Sequence, residues 1–258
     1  MKITALVENT SVNENIDSEH GLSLYIESCH YKILFDMGQT TLFKVNADKL
    51  GVDLSRVDIA VLSHGHYDHG GGLKEFLDIN NTAPVYLSKY AFEPHYNGTE
   101  KYIGLDTSLA NNSRLIYTDE IMKINDNLTL FSCNDCTHKF ELGSFGLNMK
   151  VDDEFIPDDF RHEQYLMIRE DNKKVLISGC SHKGILNIVN WFEADVIIGG
   201  FHFSKLPLDE NLQKYADYLN SFHTEFITCH CTGLEQFEFM KKSMSNLRYI
   251  SAGQTIEI

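Results

Sequence analysis

A short segment of the sequence places several potential metal ligands within six consecutive positions: His64, His66, Asp68 and His69. The apolar run 57–62 lies directly before it and predicts a buried strand, and the glycines at 70–72 end that run before a helix begins at Leu73. Because ligands usually bind at the carboxyl ends of strands in α/β sheets, we expect these side chains at the edge of a sheet.

The types and spacing of these side chains indicate a metal site. Neutral imidazole and carboxylate suit zinc, iron or manganese, whereas calcium and magnesium prefer sites made only of oxygen. His64 and His66 are two positions apart, so an extended backbone turns both rings to the same side. Asp68 and His69 follow after the chain has begun to turn and can face a second point nearby. This arrangement suits a site for two metal ions roughly 3.5–4 Å apart. We favour that interpretation over a histidine-rich surface loop without metal.

The motif His64-x-His66-x-Asp68-His69 resembles the signature of the metallo-β-lactamase superfamily, and the resemblance extends over most of the chain. It implies an α/β fold built as a four-layer αββα sandwich, with two mixed sheets and the helices outside. The sequence agrees with this architecture, because predicted strands and helices alternate between Thr40 and Leu87 as they do in α/β proteins.

The resemblance also implies roles for residues outside the motif. His182, at the glycine-rich end of an apolar strand, is implied to complete a first metal site with His64 and His66. His230, at the end of a later strand, is implied to join the last two ligands of the motif at a second site. Asp36 is implied to hydrogen-bond to the ligands without coordinating, although an aspartate before a predicted helix can also be a helix cap.

One stretch departs from the family pattern. Most members place an aspartate, or sometimes a cysteine, between the two metals at about the position of Gly199-Gly200-Phe201-His202, which contains no acid. His202 is therefore either a metal ligand or an acid or base that faces the substrate, with a structural role as the third possibility. Asp68 is expected to orient a water molecule while coordinating one metal, so Asp68 and His202 are the candidate catalytic residues.

The length of 258 residues and the hydrophobic content of 43% suit one large α/β domain, 1–258. We predict two similar halves, 1–138 and 164–258, joined by a glycine- and acid-rich linker at 139–163 that is most simply a solvated loop. Residues 88–113 are less regular. Their lysines and aromatic rings either line a substrate pocket or belong to an exposed helical excursion.

The charge balance bears on partners and location. Lys plus Arg total 22 and Asp plus Glu total 37, which gives a net charge of −15. A surface this acidic disfavours nucleic acid as a partner, because phosphate binding relies on basic patches. No apolar run approaches the ~18 residues of a membrane span. The first residues predict a strand and not a signal peptide, so we expect a cytoplasmic protein, with a homo-oligomer left open.

The six cysteines are expected to be reduced thiols. Cys133 and Cys136 form a C-x-x-C, but a structural zinc site needs a second such pair, so we interpret them as loop thiols, with a redox or metal role as the alternative. Cys229 and Cys231 flank His230 on a predicted strand. They could add soft ligands to the metal site, but alternation along a strand points them away from that histidine, and we interpret them as packing thiols.

Two bound metals lower the pKa of a water molecule toward ~7 and polarise a carbonyl or phosphoryl oxygen, so hydrolysis is the expected chemistry. Zinc is the favoured ion, with iron or manganese as alternatives. Further stretches resemble one branch of the superfamily: Leu6-Val7-Glu8-Asn9-Thr10, His20-Gly21-Leu22-Ser23, Ser178-Gly179-Cys180-Ser181-His182, Gly199-Gly200-Phe201-His202 and His230-Cys231-Thr232-Gly233.

That branch is named for a dihydropterin–aminobenzene ribofuranosyl-phosphate synthase of methanopterin biosynthesis. The resemblance implies a hydrolase or transferase that acts on a small phosphorylated or pterin-like molecule. Three alternatives stay open: an iron-dependent oxidoreductase that needs a flavin-carrying partner, a non-catalytic ligand sensor, and an RNA-processing nuclease, which the acidic surface disfavours.

Overall fold

The computed structural model describes residues 1–28, 31–141 and 143–258. The strands, in chain order, are β1 (Lys2–Val7), β2 (Ser23–Ser28), β3 (Tyr31–Phe35), β4 (Ile59–Val61), β5 (Val85–Ser88), β6 (His95–Asn97), β7 (Lys101–Tyr102), β8 (Leu115–Thr118), β9 (Ile121–Lys123), β10 (Leu128–Phe131), β11 (Leu147–Val151), β12 (Glu154–Pro157), β13 (Tyr165–Glu170), β14 (Lys173–Ile177), β15 (Val196–Ile198), β16 (Glu225–Thr228), β17 (Leu247–Tyr249) and β18 (Thr255–Glu257). The α-helices are α1 (Leu42–Leu50), α2 (Tyr67–Gly70), α3 (Leu73–Ile79), α4 (Ile185–Trp191), α5 (Glu210–Asn220) and α6 (Leu234–Lys241).

Two seven-stranded mixed sheets form the centre of the molecule. The first has the order β18-β1-β2-β3-β4-β5-β8, and the second has the order β17-β16-β15-β14-β13-β10-β9. Strands β3, β4, β5 and β8 of the first sheet run parallel to one another. Strands β14, β15, β16 and β17 do the same in the second. Each sheet therefore has one edge at which the carboxyl ends of its parallel strands lie side by side.

The central parallel strands are buried on both faces, which explains their continuous apolar sequence. In β3, Ile33 and Phe35 face the cluster between the two sheets, whereas Leu34 faces the helices outside the first sheet. Helices α1 and α3 cover that outer face through side chains such as Phe43 and Phe76.

The outer face of the second sheet is covered in the same way. Ile188 of α4, Leu219 of α5 and Met240 of α6 all belong to its hydrophobic cluster. The layers therefore run helix, sheet, sheet, helix, which confirms the predicted αββα sandwich. No helix in the described ranges is long and apolar enough to cross a membrane.

A small third sheet, with the order β12-β11-β6-β7, was not predicted. It takes β6 and β7 from the stretch 88–113 and the hairpin β11–β12 from the stretch 139–163. The interpretation of 139–163 as a solvated loop is wrong for this hairpin and for the segment after it, where Asp158 is 5% exposed and Glu163 is fully buried. Residue 142 of that stretch lies outside the described residues. The division of the chain into two halves stays a prediction.

Two local details of the metal-ligand segment also differ from expectation. Strand β4 is shorter than the apolar run 57–62, and a four-residue helix, α2, comes between it and α3. Asp68 and His69 therefore lie on a helical turn, whereas His64 and His66 lie in the loop before it.

Candidate metal centre

The predicted site residues come together where the carboxyl ends of the two sets of parallel strands meet. His64 and His66 follow β4, His182 follows β14, His202 follows β15 and His230 follows β16. Part of the set lines a cavity of about 250 Å³: His66, Asp68, His182, His202 and His230. His64 and His69 lie behind its wall, with their ring centroids 4.2 Å apart. Loops that follow strands of both seven-stranded sheets thus contribute to one site.

The first group of donor atoms belongs to His64, His66 and His182, whose ligating atoms lie within 4.8 Å of one another. The Nε2 atoms of His64 and His66 and both ring nitrogens of His182 are buried without a hydrogen-bond partner among the described residues. Burial, reinforced by the neighbouring histidines, holds the pKa of all three rings well below the ordinary value. Neutral, unpartnered imidazoles fit a divalent metal ion, which would satisfy nitrogens that are otherwise costly to bury.

The second group consists of Asp68, His69 and His230. The Nε2 atoms of the two histidines are 3.2 Å apart. Asp68 Oδ2 lies 3.4 Å from Nε2 of His230 and 3.9 Å from Nε2 of His69. Burial acts to raise the pKa of Asp68, but His69, His20 and His230 outweigh it and hold that pKa well below its usual range. An ionised carboxylate and two ring nitrogens that face one point also fit a divalent cation.

Asp36 is fully buried and hydrogen-bonds to His69 of the second group and to Ser63, which contacts His64 of the first group. Its Oδ2 atom accepts hydrogen bonds from His69 Nδ1 and from the Ser63 hydroxyl, each at 2.7 Å. The Ser63 oxygen in turn accepts from His64 Nδ1 at 2.7 Å. Asp36 therefore orients one ring directly and one through Ser63, as its predicted supporting role requires. The alternative role as a helix cap is wrong, because the N-cap of α1 is Thr41 and has no side-chain cap bond.

Three supporting residues were missed by the sequence analysis. Asn9 Oδ1 accepts a hydrogen bond from His230 Nδ1 at 2.8 Å, and Glu8 accepts from the His230 backbone N–H at 2.6 Å. Glu163 accepts from the His182 backbone N–H at 2.7 Å. A polar pair directly after the apolar strand β1 is a signal that could have indicated Glu8 and Asn9. Glu163 carried no such signal, because it lies in the stretch interpreted as a linker.

His20 is a further residue that the sequence analysis left without a role. Its Nε2 atom lies 3.1 Å from Asp68 Oδ2, and about half of its side chain is exposed. It belongs to the polar segment that follows β1. His20 therefore contacts the candidate catalytic carboxylate from the open side of the cavity.

His202 lines the same cavity as Asp68 and lies next to the first group. Its ring centroid is 4.4 Å from that of His182, and its Nδ1 atom is buried without a partner in the described parts of the chain. The backbone at His202 is left-handed, with φ of 57°, which is uncommon for a residue with a side chain. Both predicted roles, metal ligand and proton donor or acceptor, are compatible with this position and stay predictions.

The flanking cysteines divide between the core and the site. Cys229 is fully buried in the cluster between the sheets, as predicted. Cys231 instead lines the cavity together with Cys180. The prediction that Cys231 points away from His230 is wrong, because residues His230–Thr232 form a 3₁₀ turn and not an extended strand.

Comparisons with known proteins agree with this geometry. The sequence profile of the metallo-β-lactamase superfamily matches residues 17–221. The chain is 31% identical to the uncharacterized protein MJ0448 of Methanocaldococcus jannaschii, over 99% of this chain and 100% of that protein. It is 27% identical to 7,8-dihydropterin-6-methyl-4-(β-D-ribofuranosyl)-aminobenzene-5'-phosphate synthase of the same organism, over 100% and 96% of the two chains.

A solved structure is similar over the same extent. The crystal structure of Tm1679, described as a metal-dependent hydrolase of the β-lactamase superfamily, aligns with a TM-score of 0.86 and 31% identity, over 100% of this chain and 99% of that one. The sequence profile, the aligned relatives and the αββα layers with ligand groups at the strand ends lead to the same assignment. The chain belongs to the metallo-β-lactamase superfamily.

Proposed function

We propose that the protein is a hydrolase or group transferase that binds two divalent metal ions, zinc in preference to iron or manganese, and acts on a small phosphorylated substrate. The observation that carries this proposal is the meeting of two separate donor groups, each drawn from both sheets, next to one small cavity. His64, His66 and His182 would hold one ion. Asp68, His69 and His230 would hold the other.

When bound, such a pair of ions lowers the pKa of a water molecule and polarises a phosphoryl or carbonyl oxygen. The chain's own residues position the reactants around it. Asp68, kept ionised by its histidine neighbours, accepts a hydrogen bond from the attacking water or hydroxyl group. His202 lines the same cavity, where its unpartnered Nδ1 can hold a proton for the leaving group.

The walls of the cavity support an anionic substrate of modest size. Lys101 and Lys205 both line it, and they supply local positive charge on a chain whose net charge is −15. Tyr67, Ile103 and Leu147 add an apolar side against which a flat ring can pack. The name of the synthase relative describes a ribofuranosyl 5'-phosphate attached to an aminobenzene, a molecule with both features. We therefore place a phosphate ester on an aromatic or sugar-linked framework first among the substrate classes.

The test uses metal-loaded protein and a panel of phosphodiesters, phosphomonoesters and pterin diphosphates, with and without an aminobenzene acceptor. We expect turnover that depends on metal. A product that contains the acceptor would indicate group transfer, whereas release of product without the acceptor would indicate hydrolysis. His66→Ala should remove activity and lower the metal content. His223 is an exposed histidine in the turn after α5, and His223→Ala is the matched control that should change neither.

Two results would contradict the proposal. Protein that retains a small ligand but turns over no substrate with zinc, iron or manganese would favour a sensor. Iron-loaded protein that only exchanges electrons with a flavoprotein would favour the oxidoreductase.

A further inference from the structure

We propose that Cys180 and Cys231 are thiolate ligands of this metal centre, and that their sulfur atoms supply negative charge between the two donor groups. The inference rests on the proposed metal-dependent function and adds two ligands that neither the motif nor its spacing indicates. It also predicts which ions the site prefers.

The position of Cys180 is the first support. Its Sγ atom is 3.2 Å from Nε2 of His69. Its Sγ atom also lies within 4.8 Å of a ligating atom of His64 and of His182, which belong to the first group. The same holds for His230, which belongs to the second group. Cys180 is therefore located between the two donor groups, where a ligand can contact either ion or both.

The second support is the relation between Cys231 and Gly200. A Cβ atom added at Gly200 would overlap with the Sγ atom of Cys231. The thiol thus occupies the space that any side chain at position 200 would need. At Gly199 a Cβ atom would overlap with the carbonyl oxygen of Ser178, and φ is +147°. An acidic side chain therefore does not fit at either glycine. The Sγ atom of Cys231, which follows the neighbouring strand β16, occupies the space beside Gly200.

The surroundings of the two thiols are the third support. Cys229 belongs to the hydrophobic cluster between the sheets and Cys133 to the cluster outside the second sheet. Cys180 and Cys231 belong to none of the hydrophobic clusters formed by the described residues, although they are 3% and 6% exposed. Their neighbours are imidazole rings and each other, since the Cys231 thiol donates to the Cys180 carbonyl oxygen at 3.4 Å, and both cysteines line the cavity. Buried thiols in such surroundings are placed as ligands and not as packing groups.

The chemistry of the donor set follows from this placement. Each thiol releases its proton when it binds a metal ion, so each ligand adds one negative charge to the site. Two thiolates with ionised Asp68 come close to balancing a pair of divalent ions without any further carboxylate. Thiolate is a soft ligand, so the centre should select zinc or iron over manganese and magnesium.

The test begins with a background protein in which Cys29, Cys133 and Cys136 are replaced by serine. Of the cysteines in the sequence, this leaves Cys180, Cys229 and Cys231. The reduced protein is stripped of metal, reloaded with zinc and studied by X-ray absorption. We expect a sulfur shell at about 2.3 Å beside nitrogen and oxygen at about 2.0–2.1 Å. This measurement needs no substitution at the two proposed ligands.

Cobalt loading of single variants then assigns the sulfur atoms. The background protein should show a sulfur-to-cobalt charge-transfer band, which Cys180→Ser and Cys231→Ser should each reduce. Cys229→Ser is the matched control, since it removes a buried neighbouring thiol that faces the core, and it should leave the band unchanged.

The outcomes separate the inference from the proposed function. If the protein binds its full complement of metal through nitrogen and oxygen ligands alone, thiolate ligation is overturned and the proposed function stands. A Cys180–Cys231 disulfide that persists in reductant would have the same consequence. Folded wild-type protein that takes up no zinc or cobalt would overturn the proposed function and this inference together.

Discussion

Three histidines of the site share one arrangement: His64, His69 and His230. In each ring, Nδ1 donates to an oxygen atom, of Ser63, Asp36 or Asn9 respectively, at 2.7–2.8 Å. The hydrogen bond fixes the proton on Nδ1 and leaves the Nε2 lone pair available to a metal ion. At the scale of the residue, oxygen atoms of Ser63, Asp36 and Asn9 therefore orient the three rings for metal binding without being ligands themselves.

Replacing Asp36 with asparagine tests this arrangement. The amide can accept fewer bonds than the carboxylate, so a donor among Ser63 N–H, Ser63 O–H and His69 Nδ1–H is left buried and unpaired. We expect metal affinity to fall 10–100-fold and the unfolding free energy to fall by about 1–3 kcal/mol. Chelator competition and urea unfolding measure the two effects. Asp48→Asn, on the exposed face of α1, is the control, and an Asp36 variant with unchanged affinity would contradict the assigned role.

At the scale of the element, sharp turns at strand ends direct the side chains into the site. Asp36, Ser181, His202 and His230 all have positive φ, between 48° and 59°. Residues with side chains adopt this conformation at a cost, and such positions are concentrated at functional sites. These turns come within four residues of the end of a buried strand, and the loops that contain them bring side chains from both sheets to one site.

The segment 158–164 is the second element that positions the site. Gln164 N–H donates to the carbonyl of Ser63 at 2.7 Å, and the ring of His162 accepts from Gly65 N–H at 2.9 Å. Glu163 accepts a hydrogen bond from the backbone N–H of His182, which follows β14 of the second sheet. The segment therefore contacts the backbone of both ligand loops and stabilises their relative position.

Asp158 at the start of this segment predicts a pH dependence. Burial opposes its ionisation, but the neighbouring His162 and His95, the latter at 2.7 Å, hold the pKa of the carboxyl well below its ordinary value. A depressed folded-state pKa contributes stability that is present above the unfolded value of about 3.9 and is lost as the pH falls through the acid range. Asp158→Asn should lower the unfolding free energy at neutral pH, and its difference from the wild type should shrink below about pH 4. Urea unfolding across pH 3–7 measures this, and a constant difference would disprove the linkage.

At the scale of the whole molecule, each donor group joins the two sheets. His64 and His66 come from the first sheet and His182 from the second. Asp68 and His69 likewise meet His230 across the interface. A metal ion at either group would therefore link two layers that are otherwise held together by the hydrophobic cluster between them.

Removal of metal should accordingly lower the thermal stability of the entire fold. At a free ion concentration 1,000 times the Kd, binding stabilises the folded state by about 4 kcal/mol. We expect the melting temperature to fall when a chelator is added and to recover when zinc is restored. His230→Ala should show a smaller response to zinc than the wild type. Calorimetry with parallel metal analysis is the measurement, and an unchanged melting temperature in metal-free protein would exclude the linking role.

The sequence by itself determined the parts of this protein that depend on local spacing. The ligands His64, His66, Asp68 and His69 are close in the chain, apolar runs of strand and helix length indicate alternating strands and helices, and the resemblance to the superfamily implied the αββα layers. Only the tertiary structure decided which distant groups surround those ligands. Asp158, Glu163 and the thiols of Cys180 and Cys231 reach the site because two sheets pack face to face and left-handed turns redirect the chain, and neither packing nor turn direction is encoded in residue spacing alone.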